Sequence, residues 1–239
     1  MNPVATLTRR SALLALPALV AATAVADEPD GSHFLELVSM EPPDVLRKLS
    51  REQDAEKLGD AVIVNIDDRR VKDYRNFIFK TENSVKDPVE RVRLVHDFVN
   101  ARVRPTPDYQ LYVDRDVWAP PLNTITAGGD CEDIALLKRW CLAHLGWSLH
   151  DMKLLVGMSK IPATPEAHAV LLVETDRGHL ILDSLDSRVR TPKTEDHFEP
   201  TYAVNENGFW AVSDPYRPPA KTDWAKIFLE AHAAPSKRG

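Results

Sequence analysis

"TAGGDCEDIALLKRWC", residues 126–141, sets a cysteine directly after two glycines and an aspartate, with an apolar run behind it. The run from Cys131 to Leu145 reads as a helix that stops at Gly146, which puts Cys131 in the first turn. The first N–H groups of a helix have no internal partners, and the helix dipole places about half a positive charge there. That field favours a thiolate, and it leaves the Cys131 N–H open to an oxyanion. Gly128 and Gly129 are expected to keep the approach free of side chains, so that a substrate backbone can come close. Three carboxylates, Asp130, Glu132 and Asp133, crowd the same sulfur and work against its ionisation. The stretch is therefore either a buried structural thiol or a nucleophile whose acidic neighbours have another task.

Helical geometry separates those acids. At about 100° per residue, Asp130 and Glu132 point to either side of Cys131, whereas Asp133 points roughly 160° away. Asp130 and Asp133 are an i, i+3 pair on one face. In one reading Asp130 caps the helix, while Glu132 and Asp133 answer its dipole. In the other, Asp130, Glu132 and Asp133 hold calcium, which takes roughly 6–8 oxygens and so also needs backbone carbonyls and water. The second cysteine, Cys141, lies ten residues on in the same helix, about 15 Å away. A disulfide needs Cα atoms within about 7 Å, so both thiols are expected free, with Cys141 buried among Trp140, Leu142 and Leu145.

Outward from this helix the chain divides in two. Upstream, Asp44 to Leu58 reads as a helix and 61–66, "AVIVNI", as a short β-branched run. "DPVERVRLVHDFVN" (87–100) is a firm helix, with Asp87 as cap, Pro88 at the first position, Glu90 completing a capping box, and a stripe of Val92, Val95, Phe98 and Val99. Residues 27–43 read as a polar lead-in. Residues 104–129, rich in proline and glycine towards their end, read as a long irregular stretch, of the kind that is either functional or mobile. Downstream come short apolar strands: "KLLVGM", "HAVLLVET", "HLILDS", "YAVN" and "FWAV". Helices first and antiparallel strands afterwards define an α+β domain.

A thiol nucleophile needs a base, and the base an orienting group. His168 opens the second of those strands and Asp183 ends the third. Direct pairing of the two requires Val173 opposite Gly178, with a four-residue loop at 174–177. A two-residue turn at Arg177-Gly178 would set Asp183 against Leu172, about 13 Å along the strand from His168. The triad reading therefore predicts the longer loop, and prefers Asp183 to Asp186, which an odd offset puts on the other face. Cysteine at a helix start, then histidine and aspartate on successive strands, is the order found in papain and transglutaminase-like folds.

At this point the sequence resembles a family. "DVWAPP", "GGDCEDIALLKRW", "EAHAVLLV" and "LILDSLDSRV" are similar, in order and spacing, to the bacterial transglutaminase-like cysteine peptidases, which include the LapG-like periplasmic adhesin proteases. The resemblance runs from about Asp87 to Trp210. It implies Cys131 as nucleophile, His168 as base and Asp183 as orienter, with Ser184 where the family has asparagine. It also implies calcium dependence through the matching acids, a large cell-surface adhesin cleaved near its N-terminus, and gating by an inner-membrane cyclic-di-GMP receptor. Trp118 is a candidate for shaping the acyl site.

The 239 residues suit one domain, 27–239, behind a targeting segment. Arg9 and Arg10, the run "SALLALPALVAATAVA" and the Ala24-x-Ala26 site make residues 1–26 a signal peptide, by the general or the twin-arginine route, and predict a periplasmic protein. Composition is that of a soluble globular chain, 44% hydrophobic and 28% charged. A net charge of -6 leaves no electrostatic footprint for nucleic acid or an anionic membrane. Two other functions stay open on the same residues: acyl transfer to an amine, as in a transglutaminase or amidase, and a non-catalytic calcium-binding module.

Overall fold

The structure is a computed structural model that describes residues 34–39, 67–112, 117–161 and 166–213. The expected signal peptide, the helix at 44–58 and the run at 61–66 lie outside the described residues. In chain order the elements are β1 (Phe34–Ser39), α1 (Arg69–Ser84), α2 (Pro88–Arg102), α3 (Asp108–Leu111), α4 (Pro121–Ala127), α5 (Cys131–His144), β2 (Met152–Ser159), β3 (Glu166–Thr175), β4 (Gly178–Leu182), β5 (Phe198–Asn205) and β6 (Gly208–Ser213). The strands form one antiparallel sheet in the order β1-β6-β5-β2-β3-β4, so the fold is α+β as expected.

Local chemistry accounts for the helices. Asp87 accepts the Val89 N–H at the start of α2, Pro88 takes the first position, and Val92, Val95 and Val99 are buried. Arg91 then ties three elements together: its guanidinium donates to the carbonyls of Val85, Glu82 and Leu145, which end α1 and α5. Helix α1 buries Val71, Tyr74, Ile78 and Thr81 at helical spacing, capped by Asp68. α5 is buried nearly all round, every residue from Glu132 to Leu142 being buried, the charged Glu132, Asp133, Lys138 and Arg139 included, because α2, α4 and β3 enclose it.

The sheet is apolar on both faces, which is why its strands read as runs rather than alternations. Met152, Leu154, Leu171, Val173, Leu182, Tyr202, Val204 and Phe209 pack against the helices. Leu155, Val170, Leu172, Ile181, Phe198 and Ala203 form a second cluster on the reverse face.

Three expectations need correction. Residues 34–39 are a strand, not a lead-in; it pairs with β6. The stretch at 104–129 is not irregular throughout, because prolines pre-set the backbone for α4 and a single turn forms α3. Thirdly, β3 and β4 join by a two-residue turn at Asp176-Arg177, with Thr175 opposite Gly178. Gly178 takes a φ of 105°, and the Thr175 hydroxyl, bonded to Gly178 O and Arg177 N, closes the turn. The register is thus offset by two residues from the expected one.

Candidate active site

The contact between His168 and Asp183 survives that offset because two is the period of a strand: a slip of two keeps every side chain on its face. With Leu171 opposite Leu182, the next step sets Asp183 against Val170, one diagonal place from His168. The histidine ring and the end of β4 close that gap, and His168 Nε2 lies 2.6 Å from Asp183 Oδ1. Both are buried, at 5% and 1% exposure. Phe198 packs edge-on against the imidazole, and Gly157, opposite His168 on β2, brings no side chain beside it. Burial works to raise the Asp183 carboxyl, but the His168 hydrogen bond and charge, the Leu185 N–H at 2.8 Å and the nearby Lys138 hold it below the ordinary carboxylate range. Asp186 is engaged elsewhere, paired with Arg190 at 2.6 Å.

Cys131 opens α5, half-buried. Its thiol donates to Glu132 Oε2 at 3.1 Å, and no hydrogen bond joins it to His168 among the described residues. Burial pushes the thiol well above its ordinary pKa, and the Glu132 charge adds to that. The backbone N–H of Ala169, adjacent to His168, works the other way. The helix dipole alone therefore does not ionise this sulfur. Cys141 is fully buried, its thiol pushed up to about 12 by burial, as an inert packing group should be.

Gly128 and Gly129 serve a different purpose from the one expected. Gly128 has a φ of 94°, and a Cβ there would lie 2.5 Å from Arg104 O and 2.6 Å from Thr106 Oγ1. A Cβ on Gly129 would meet Asp133 Oδ2 at 2.5 Å. The space is filled by the chain itself: Thr106 N donates to Gly129 O at 2.9 Å, and Pro105 bridges Gly129 as a parallel strand would. That ribbon carries Asp108 to the start of α5.

There Asp108, Asp130 and Glu132 offer oxygens that all lie within 4.8 Å of one another. Asp108 is the member that sequence reading missed; it falls 22 residues before Asp130, and only the 105–129 bridge brings it close. Asp133, expected in this group, points elsewhere. Its Oδ1 accepts the Ala119 N–H at 2.7 Å, beside Trp118, which packs partly buried against the core, and its Oδ2 is buried. Asp130 holds the N-cap position but makes no side-chain cap bond, so capping does not explain it. Burial, followed by the Asp130 charge, raises Glu132 to about 9. Burial raises Asp133 to about 7, with the Asp130 and Asp108 charges adding to it and the Ala119 and Asp130 N–H groups opposing it. Acidic oxygens this close and this poorly solvated suit a hard divalent cation, which would remove their mutual repulsion.

A thiol at a helix start reached by the backbone N–H of Ala169, with a buried His168–Asp183 pair on the same antiparallel sheet, is the arrangement of the papain and transglutaminase-like class. The family profile described as bacterial transglutaminase-like cysteine proteinase BTLCP matches residues 72–215, and the chain belongs to that family; it is a cysteine peptidase, and its substrates are proteins. Among solved structures, calcium-bound LapG of Legionella pneumophila is 22% identical, covering 78% of this chain and 98% of its own, with a TM-score of 0.54. EGTA-treated LapG from the same organism is also 22% identical, covers 76% of this chain and 96% of its own, and has a TM-score of 0.53. No curated protein matches the chain.

Proposed function

We propose that the protein is a periplasmic, calcium-dependent cysteine endopeptidase in which Cys131 is the nucleophile, His168 the base and Asp183 its orienter, acting on a large cell-surface adhesin. The buried 2.6 Å contact between His168 Nε2 and Asp183 carries the reading, because it commits one ring nitrogen and leaves Nδ1 for the thiol. The thiol turns from Glu132 to His168, which takes its proton as the sulfur attacks a peptide carbonyl. The tetrahedral oxyanion falls beside the Cys131 N–H at the helix start. His168 then gives its proton to the leaving amine, which departs and leaves a thioester. Finally His168 draws a proton from water, hydroxide displaces the sulfur, and the thiol is restored.

Asp108, Asp130 and Glu132 would hold the calcium, with Asp133 behind them. Calcium would supply positive charge that cancels the acidic field on the sulfur and fixes the Gly128–Asp130 turn. Support for calcium comes from the acid cluster and from the calcium-bound and EGTA-treated forms of LapG. The signal-like N-terminus supports export, and family membership supports the adhesin and a cyclic-di-GMP-controlled receptor as partners. The test is incubation of the mature protein and Cys131→Ala with cell-surface extract, with calcium or with chelator. Loss of one large surface protein, only with the intact cysteine and only with calcium, is the expected result; equal loss in excess chelator refutes the metal's part.

A further inference from the structure

The paired part of β4 stops one residue short of the buried carboxylate. Leu182 is the last residue of β4 in register with β3, opposite Leu171, and a continued ladder would leave Asp183 opposite Val170 rather than His168. The 2.6 Å contact between His168 Nε2 and Asp183 Oδ1 therefore depends on where the chain goes after the strand ends. Two sets of hydrogen bonds fix that course. The Leu185 N–H donates to Asp183 Oδ1 at 2.8 Å, which turns the side chain back onto its own backbone. The second set comes from another element. Asn100, in the last turn of α2, donates through Nδ2 to Asp183 O at 3.0 Å and to Asp186 O at 3.1 Å.

The amide can stand only one way round, because two carbonyl oxygens accept from an NH2 group and repel an oxygen. Both amide hydrogens are thereby committed to the 183–186 turn. On its other side Asn100 Oδ1 is buried and finds no hydrogen-bond partner among the described residues, and His96 Nε2 stands 3.5 Å from Nδ2, at the limit of a hydrogen bond. Filling the space would be a task for leucine, which has the same shape and no acceptor to strand. What asparagine adds is a clamp on two carbonyls. That clamp spans the site: α2 packs on α5, whose first residue is Cys131, so the amide ties the turn carrying Asp183 to the helix pair carrying the thiol.

We propose that Asn100 is a positioning residue for the hydrolysis: by holding the Asp183 and Asp186 carbonyls it keeps the Asp183 carboxylate on His168 Nε2. The inference rests on the reading of His168 as base and Asp183 as its orienter. Asp183 is held below the ordinary carboxylate range and so accepts, which puts the proton of the contact on Nε2. Released from Asn100, the turn leaves Asp183 at the offset the ladder gives it, and the imidazole loses its fixed direction.

Two readouts in calcium test this. One is the His168 Nε2–H resonance in protein carrying nitrogen-15-labelled histidine, which the short bond to Asp183 displaces downfield. The other is the rate at which iodoacetamide alkylates Cys131 at pH 7.5, followed by intact mass. Asn100→Leu, with Asn100→Ala beside it should the larger side chain disturb the fold, is expected to move the resonance upfield or lose it to exchange with water. Alkylation should slow roughly 10–100-fold. In an Asp183→Asn background the same change should add nothing, because what Asn100 holds in place is already disabled. Asn205 supplies the control: it is 1% exposed, and its Nδ2 donates to His150 O at 3.3 Å and Met152 O at 3.2 Å, a similar clamp at the far end of β2. Asn205→Leu should cost comparable thermal stability and leave both readouts at the parent's values. A folded Asn100→Leu or Asn100→Ala with resonance and rate unchanged overturns the proposal. So does further slowing in the Asp183→Asn background, or an equal effect of Asn205→Leu, either of which would assign Asn100 to packing. Alkylation of His168→Ala at the parent's rate would instead remove the base reading itself, a separate result from these.

Discussion

Adding calcium to the chelator-stripped protein should expel protons, because burial and the neighbouring Asp130 charge hold Glu132 protonated. Glu132, raised to about 9 by burial and then by the Asp130 charge, holds its proton at pH 7.5, while Asp133, bonded to the Ala119 N–H, stands outside the cluster. A cation among Asp108, Asp130 and Glu132 needs these oxygens ionised, so binding releases about one proton, that of Glu132, at pH 7.5. Apparent affinity should accordingly fall about tenfold per pH unit as pH drops below about 8. The assay is titration calorimetry in buffers of different ionisation enthalpy, with the slope of heat against buffer enthalpy giving the proton count. Glu132→Gln should remove most of the release at pH 7.5. Binding with no proton release at pH 7.5, or with pH-independent affinity, would refute the argument: Glu132 would then already be ionised, and the acids would not be crowded as described.

The same crowding has a sign in folding. The two acids are raised in the folded state, so the calcium-free protein should lose thermal stability as pH rises from about 5 to 9, and saturating calcium should flatten the curve. His96, lowered to about 4 by burial, stabilises fully above its unfolded value and less as pH falls through about 6.5 towards 4; His96→Gln should flatten that acid limb in urea unfolding. Arg91→Met removes three charged bonds to helix-terminal carbonyls and should cost about 3 kcal/mol by the same assay. Gly128→Ala forces a side chain against Arg104 O at positive φ, and should destabilise by about 2 kcal/mol while weakening calcium binding, since the 105–129 bridge delivers Asp108. Asp183→Asn should keep the fold and lower turnover roughly 10³–10⁴-fold, read with any surface protein the parent cleaves.

What could be read from the sequence was chemistry at element ends. Cys131, His168 and Asp183 each begin or finish a periodic run, so the pattern that reveals the element also places the residue. The register was misjudged by two because the turn at Asp176-Arg177 relies on the Thr175 hydroxyl and Gly178 rather than on a familiar turn pair, and the error was harmless only because it was even. Helix α1 escaped notice since its stripe of Val71, Tyr74 and Ile78 sits among many charges, and β1 is too short to stand out. Asp108 and Lys138 could not be found by pattern at all. One reaches the acid cluster through a backbone bridge, and the other looks like an ordinary surface lysine until the sheet closes over it.

The most direct test of the account is the covalent capture of Cys131 by a peptidyl chloromethyl ketone panel in calcium, with the adduct mapped by mass spectrometry in the parent and in His168→Ala. The account predicts one adduct, on Cys131, formed at least about 100-fold more slowly when His168 is replaced. Capture at the same rate without His168, or continued proteolysis with Cys131 unmodified, would contradict it.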